Sequence, residues 1–180
     1  MFAALVPPQS VIDHLDDFLA PRRDADSRWR WTRPEGWHLT CAFLESVPAH
    51  AVDELLVRLG EAAAKTPSFD VRIGRALCFG SVARARVLAL DVPVGADELS
   101  ALSVRCRGAA NRAGVVPDGA RFVPHLTLAR ANRPVEATKW VRILDSFEGA
   151  SWRADELALV ESHLSDRGNR YEIVERFALS

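Results

Sequence analysis

Apolar and polar positions alternate along this chain in two runs of similar order. Phe2-Ala3-Ala4-Leu5-Val6-Pro7 reads as a short strand, and SVIDHLDDFLA follows with Val11, Ile12, Leu15, Phe18 and Leu19 at helical spacing. HLTCAFL, beginning at His38, reads as a buried strand, AHAVDELLVRLGEAAAK as a helix, and SFDVRIGRALCFG, beginning at Ser68, as a further strand. The second run restarts with the strand VLALDVP at Val87. A helix ADELSALSVRCRGAA follows, its apolar positions being Leu99, Leu102, Val104 and Cys106. HLTLA at His125, a helix over VEATKWVRILDSF and a strand SWRADELALVES from Ser151 complete it, with a last strand near Arg170–Ala178. From Pro7 to His38 is 31 residues, and from Pro93 to His125 is 32.

Each half therefore reads β-α-β-α-β. The expected fold is α+β: one bilobal, pseudo-twofold duplicated domain over residues 1–180, with antiparallel sheets and a repeat boundary near 80–84. Gly74 and Gly80 are expected to mark a bulge and a turn in a 68–91 hairpin, and Arg22–Gly36 a long polar loop.

The two His-Leu-Thr copies, His38–Thr40 and His125–Thr127, carry the candidate chemistry. Residues i and i+2 of a strand share a face, so each copy presents an imidazole beside a hydroxyl. Histidine both accepts and donates protons near neutrality. Two histidines on opposite sides of a phosphorus atom permit in-line displacement, one taking a proton from water and the other giving one to the departing oxygen. The two threonines would bond the non-bridging oxygens, where charge gathers. One copy alone is an ordinary sheet pair; two at matched points of a repeat are better read as two half-sites. The scheme needs no metal or other cofactor, and the sequence has no HExxH, CxxC or paired His/carboxylate cluster.

Bulk properties narrow the partners. A formal net charge of −1 argues against a protein that coats nucleic acid, while leaving room for one that holds only an RNA end. Three cysteines without a close pair point to a reducing, cytoplasmic setting. The N-terminus lacks a basic region before its few apolar residues, and no stretch approaches a membrane span, so neither signal peptide nor membrane partner is expected. No obligate protein partner is evident.

Around these motifs the chain resembles the two-histidine (2H) phosphoesterases, and among them the LigT-like RNA 2′,3′-cyclic phosphodiesterases, also called 2′-5′ RNA ligases. RWTRPEGWHLTCAFLESVP (Arg30 to Pro48) is similar to the family's first motif region, RFVPHLTLAR (Arg121 to Arg130) to its second, and LVESHLSDRGNRYEIVERFAL (Leu159 to Leu179) to its C-terminal hairpin. The resemblance implies a bilobal fold with a central cleft, His38 and His125 as the catalytic pair, and Thr40 and Thr127 as phosphate binders. By the same match Arg130 and Tyr171 would bind substrate. The implied reaction opens an RNA terminal 2′,3′-cyclic phosphate to a 2′-phosphomonoester. The expected assignment is His125 as base and His38 as acid, although the two half-sites are nearly equivalent in sequence. Other readings are the same chemistry on a small cyclic nucleotide or ADP-ribose cyclic phosphate, and an RNA-end binding module without turnover. Cys41, Gly36, Glu45 and Ala89 depart from the family pattern, and Ala89 puts in doubt an aromatic wall from its strand.

Trp29, Trp31 and Trp37 interleave with Arg28, Arg30 and Arg33. They form either a base-stacking platform or an amphipathic edge strand with its aromatics inward. Phe43, five residues after His38, falls on the opposite strand face and is expected in the core; Phe122 fits cleft or core equally. Arg75, Arg84 and Arg86 suit a solvated hairpin. His14 and His50 suit solvent-facing helical positions, and His163 lies in the last hairpin.

Overall fold

A computed structural model describes residues 1–165 and 168–180 and shows the α+β architecture. In chain order the first half holds β1 (Phe2–Leu5), α1 (Gln9–Leu19), the two-residue strand β2 (Arg30–Trp31), β3 (Leu39–Phe43), α2 (Val52–Ala64), β4 (Phe69–Ile73) and β5 (Ala76–Phe79). The second holds β6 (Ala85–Asp91), α3 (Ala96–Arg112), β7 (His125–Val135), α4 (Thr138–Asp145), β8 (Ala150–Ala154) and β9 (Glu156–Ser165), and β10 (Gly168–Ala178) closes the chain. The turn inside the C-terminal motif, at residues 166–167, lies outside the described residues.

Two four-stranded sheets form, in the orders β10-β9-β1-β3 and β2-β7-β6-β5, with a two-stranded sheet β4-β8 between the halves. All pairings are antiparallel. The halves exchange strands: β5, from the first, pairs with β6, and β9, from the second, pairs with β1. The expected single strands over 68–80 and 151–162 are each two strands, because the chain turns a corner there from the small sheet into the other half's sheet. Gly74 occupies the first corner, so it joins two strands and marks no bulge. Gly80 makes the expected turn between β5 and β6 at φ +95°, where a Cβ would stand 2.6 Å from the Arg84 carbonyl oxygen.

Alternation in β4 is strict, with Phe69, Val71 and Ile73 buried and Asp70 and Arg72 exposed. In α3 the buried stripe runs Leu99, Leu102, Ser103, Cys106 and Ala110. Val104, expected on that stripe, is 72% exposed. Ser103 takes the inward position, its hydroxyl donating to the Cys41 carbonyl at 2.6 Å. The polar loop from Arg22 contains the edge strand β2, and of the two readings of its tryptophans the inward one holds. Trp29 and Trp37 are 3% and 2% exposed, while Trp31 packs edge-on against Trp140 with centroids 4.8 Å apart. No helix among the described residues is long and apolar enough to cross a membrane.

Candidate active site

Each His-x-Thr strand carries a β-bulge at the same place. In β3, Ala42 lies opposite Ala3 and Thr40 opposite Ala4, so Cys41 is the extra residue. In β7, Ala129 lies opposite Leu88 and Thr127 opposite Ala89, so Leu128 is. Both are the third residue after their histidine. An extra residue shifts the two-residue alternation by one. Phe43 then lies opposite Phe2 as Thr40 lies opposite Ala4, and Phe2 and Ala4 share a face of β1. Phe43 therefore stands on the cleft face beside Thr40, 44% exposed, and not in the core as strict alternation expects. Arg130 reaches the same position in the other half, opposite Val87.

The histidines are held by matching bonds. The Nδ1–H of His38 donates to the Gly36 carbonyl at 2.7 Å, and that of His125 donates to the Val123 carbonyl at 2.7 Å. A carbonyl only accepts, so Nδ1 keeps its proton in both rings and Nε2 is the nitrogen available for transfer. Among the described residues no hydrogen bond engages the Thr40 or Thr127 hydroxyl.

Around this common core the walls differ. His38 stacks on Phe2 (4.3 Å, 22°) and meets Tyr171 edge-on at 5.6 Å, whereas His125 meets Phe79 edge-on at 4.6 Å. Tyr171 sits over Gly36: a Cβ there would lie 2.9 Å from the tyrosine ring, so the glycine that departs from the family pattern makes the space the ring fills. Burial pushes the His38 imidazolium down to about 4, against the Gly36 carbonyl that favours it, with His125 and Arg130 adding repulsion. Burial and then Arg130 lower His125 as well, against the opposing Val123 carbonyl.

A cavity of about 380 Å³ opens between Thr40 and Phe43 on one side and Phe79, Val87, His125 and Arg130 on the other. The segment 118–123 closes it, bringing Arg121 and Phe122 to its lining. That segment is tied down by Asp118, whose N–H donates to the Phe43 carbonyl at 3.0 Å and whose carboxylate takes Arg107 at 3.1 Å. Of the expected residues, Thr40, His125 and Arg130 line this cavity, and Tyr171 packs on His38. Phe79 supplies the aromatic wall that Ala89 does not; nothing local in the sequence marked it, because β5 belongs by order to the other half. Arg75 pairs with Asp91 at 2.9 Å, His14 with Glu148 at 3.2 Å, and His163 lies between Glu161 and Glu172, all outside the cavity lining.

The fold is that expected of two-histidine phosphoesterases, and comparison with known proteins agrees. Residues 7–166 match the family model described as the 2′-5′ RNA ligase superfamily, and the chain belongs to that family. It is 28% identical over 153 residues to an RNA 2′,3′-cyclic phosphodiesterase of Aquifex aeolicus, covering 83% of this chain and 81% of that one. A Bacillus subtilis protein of the same name is 28% identical over 151 residues, 84% of this chain and 81% of that one. Among solved structures, TT0787 of Thermus thermophilus superposes with a TM-score of 0.81 at 25% identity, covering 99% of this chain and 96% of that one. Escherichia coli LigT in apo form gives 0.77 at 24%, with coverage of 99% and 96%.

Proposed function

We propose that the protein hydrolyses the 2′,3′-cyclic phosphate at an RNA end to a 2′-phosphomonoester, by acid–base catalysis between His38 and His125. The carrying observation is the pair of identical Nδ1 bonds, which leaves both Nε2 atoms open to take or give a proton from equivalent points of two strands. His125 takes the proton of the attacking water. His38, returned to its charged form by the bound phosphate anion, gives its proton to the departing 3′ oxygen. Thr40 and Thr127 donate to the non-bridging oxygens, and Arg130 balances their charge. The terminal base fits the cavity between Phe43, Phe79 and Phe122, whose volume suits a nucleoside. Tyr171 acts through His38, which it and Phe2 hold in place. The names of the Aquifex and Bacillus relatives support the same substrate.

The matched element order of the halves supports a single duplicated domain with its boundary near 80–84. Three free thiols are in keeping with the cytoplasm. The test is turnover of nucleoside 2′,3′-cyclic phosphates with end-group analysis. A 2′-phosphate product, formed in the presence of EDTA and absent with His38→Ala or His125→Ala, is expected. Saturable binding without product would replace catalysis with end recognition.

A further inference from the structure

The cleft carries a second basic element that hydrolysis of one phosphate does not use. In the β2–β7 pair, Arg30 lies directly opposite Arg130. Side chains directly opposite in an antiparallel pair leave the sheet on the same face, with Cβ atoms about 5 Å apart. Arg130 lines the cavity, so Arg30 rises from the same cleft face. Trp31, the next residue, points the other way onto Trp140.

Like charges set opposite one another weaken a sheet. Among the described residues no carboxylate pairs with either guanidinium. The nearest acid along the chain, Asp26, is taken by Arg28 through two bonds of 2.8 and 2.7 Å. The strand is nonetheless anchored firmly. Trp29 is buried, the Trp31 indole N–H donates to the Arg23 carbonyl at 3.1 Å, and the Thr32 N–H donates to the Leu128 carbonyl at 2.8 Å. A two-residue edge strand thus holds an uncompensated cation beside another.

We propose that Arg30 binds a second phosphate of the substrate, the phosphodiester on the 5′ side of the terminal nucleotide, and so sets a preference for oligonucleotide ends over mononucleotides. This rests on the phosphodiesterase reading above. Arg130 shares the column of His125 and Thr127 and serves the reacting phosphate. Arg30 stands one strand further out, about 4.8 Å along the sheet, where the next phosphate of a chain leaving the cleft would run. A guanidinium suits this task because its planar fork takes a phosphate by two bonds.

The experiment compares a nucleoside 2′,3′-cyclic phosphate with a dinucleotide ending in the same group, and with that dinucleotide carrying an uncharged methylphosphonate linkage. Wild type should favour the charged dinucleotide by about tenfold in kcat/KM, expressed in KM. Arg30→Gln should abolish that advantage and leave the mononucleotide and methylphosphonate rates unchanged; Arg30→Lys should restore part of it. The thermal midpoint of Arg30→Gln should equal or exceed that of wild type, since a repulsion is removed. An equal loss on all three substrates, or no loss on any, would overturn the assignment to a second phosphate. Hydrolysis of none of them by wild type would remove the phosphodiesterase reading itself, and this inference with it.

Discussion

The two half-sites are alike around their histidines and threonines and unlike in the walls beside them. Each has a histidine bonded through Nδ1 to the carbonyl two residues back, a threonine two residues on, and a bulge at the third. At the fifth position the first half presents Phe43 and the second Arg130. On the neighbouring strand Phe2 in the first half corresponds to Val87 in the second, and two residues before the histidine Gly36 corresponds to Val123. In the proposed reaction the shared backbone geometry places an acid and a base on opposite sides of one phosphorus. The divergent side chains break the symmetry, and under the proposed function a nucleotide with one aromatic and one anionic end is expected to enter in a single orientation.

The largest effects should come from removing what the halves share. His38→Ala and His125→Ala should each lower kcat by roughly 10²–10⁴-fold. A substrate whose bridging 3′ oxygen is replaced by sulfur separates them, because a thiolate departs without an acid. Steady-state rates on it should recover in His38→Ala and stay low in His125→Ala; the reverse pattern would exchange the two roles.

Acidity comes next. Productive free protein needs one ring charged and one neutral, and both rings lie below the usual 6.5, His38 at about 4. A pH profile of kcat/KM should therefore fall above pH 6.5 by about tenfold per unit. The profile of kcat should extend to higher pH, since the bound anion favours the charged ring. The same burial makes the fold pH-sensitive with a definite sign. His38 binds its proton more weakly folded than unfolded, so stability is full above about pH 6.5 and is lost as pH falls toward 4. The loss is on the order of 3 kcal/mol, readable by denaturant titration.

Smaller changes should follow from altering the walls alone. Phe43→Ala removes a stacking surface and should raise KM about tenfold with kcat nearly unchanged, whereas Arg130→Gln, acting on the reacting phosphate, should lower kcat as well. The smallest expected effect is at Gly36. Its substitution by alanine sets a Cβ 2.9 Å from the Tyr171 ring and should cost about 1 kcal/mol in thermal unfolding. The double variant with Tyr171→Ala should not pay that cost again, which a double-mutant cycle detects. An additive cycle would show that Gly36 and Tyr171 do not act together.

How much of this was legible follows from the range of each signal. Helices α1 and α2 were readable because their apolar stripes repeat within a few residues. In α3, Ser103 took a core position that its polarity hid, and Val104 was misplaced with it. Within the candidate site, the histidines and threonines were readable from their types and spacing. Phe79 was not, since its place beside His125 depends on β5 crossing into the other half's sheet.

By itself the sequence determined the doubled His-x-Thr, the apolar strands that carry it, and the similar order of elements around the two copies, because these rest on side-chain chemistry and short-range periodicity. Tertiary structure decided which residues accompany them. The bulges at Cys41 and Leu128 turn Phe43 and Arg130 toward the cleft, and the β2–β7 register sets Arg30 against Arg130. Strand register is chosen by hydrogen bonds and packing between segments distant in the chain. One extra residue reverses every later side chain, and no local pattern announces it.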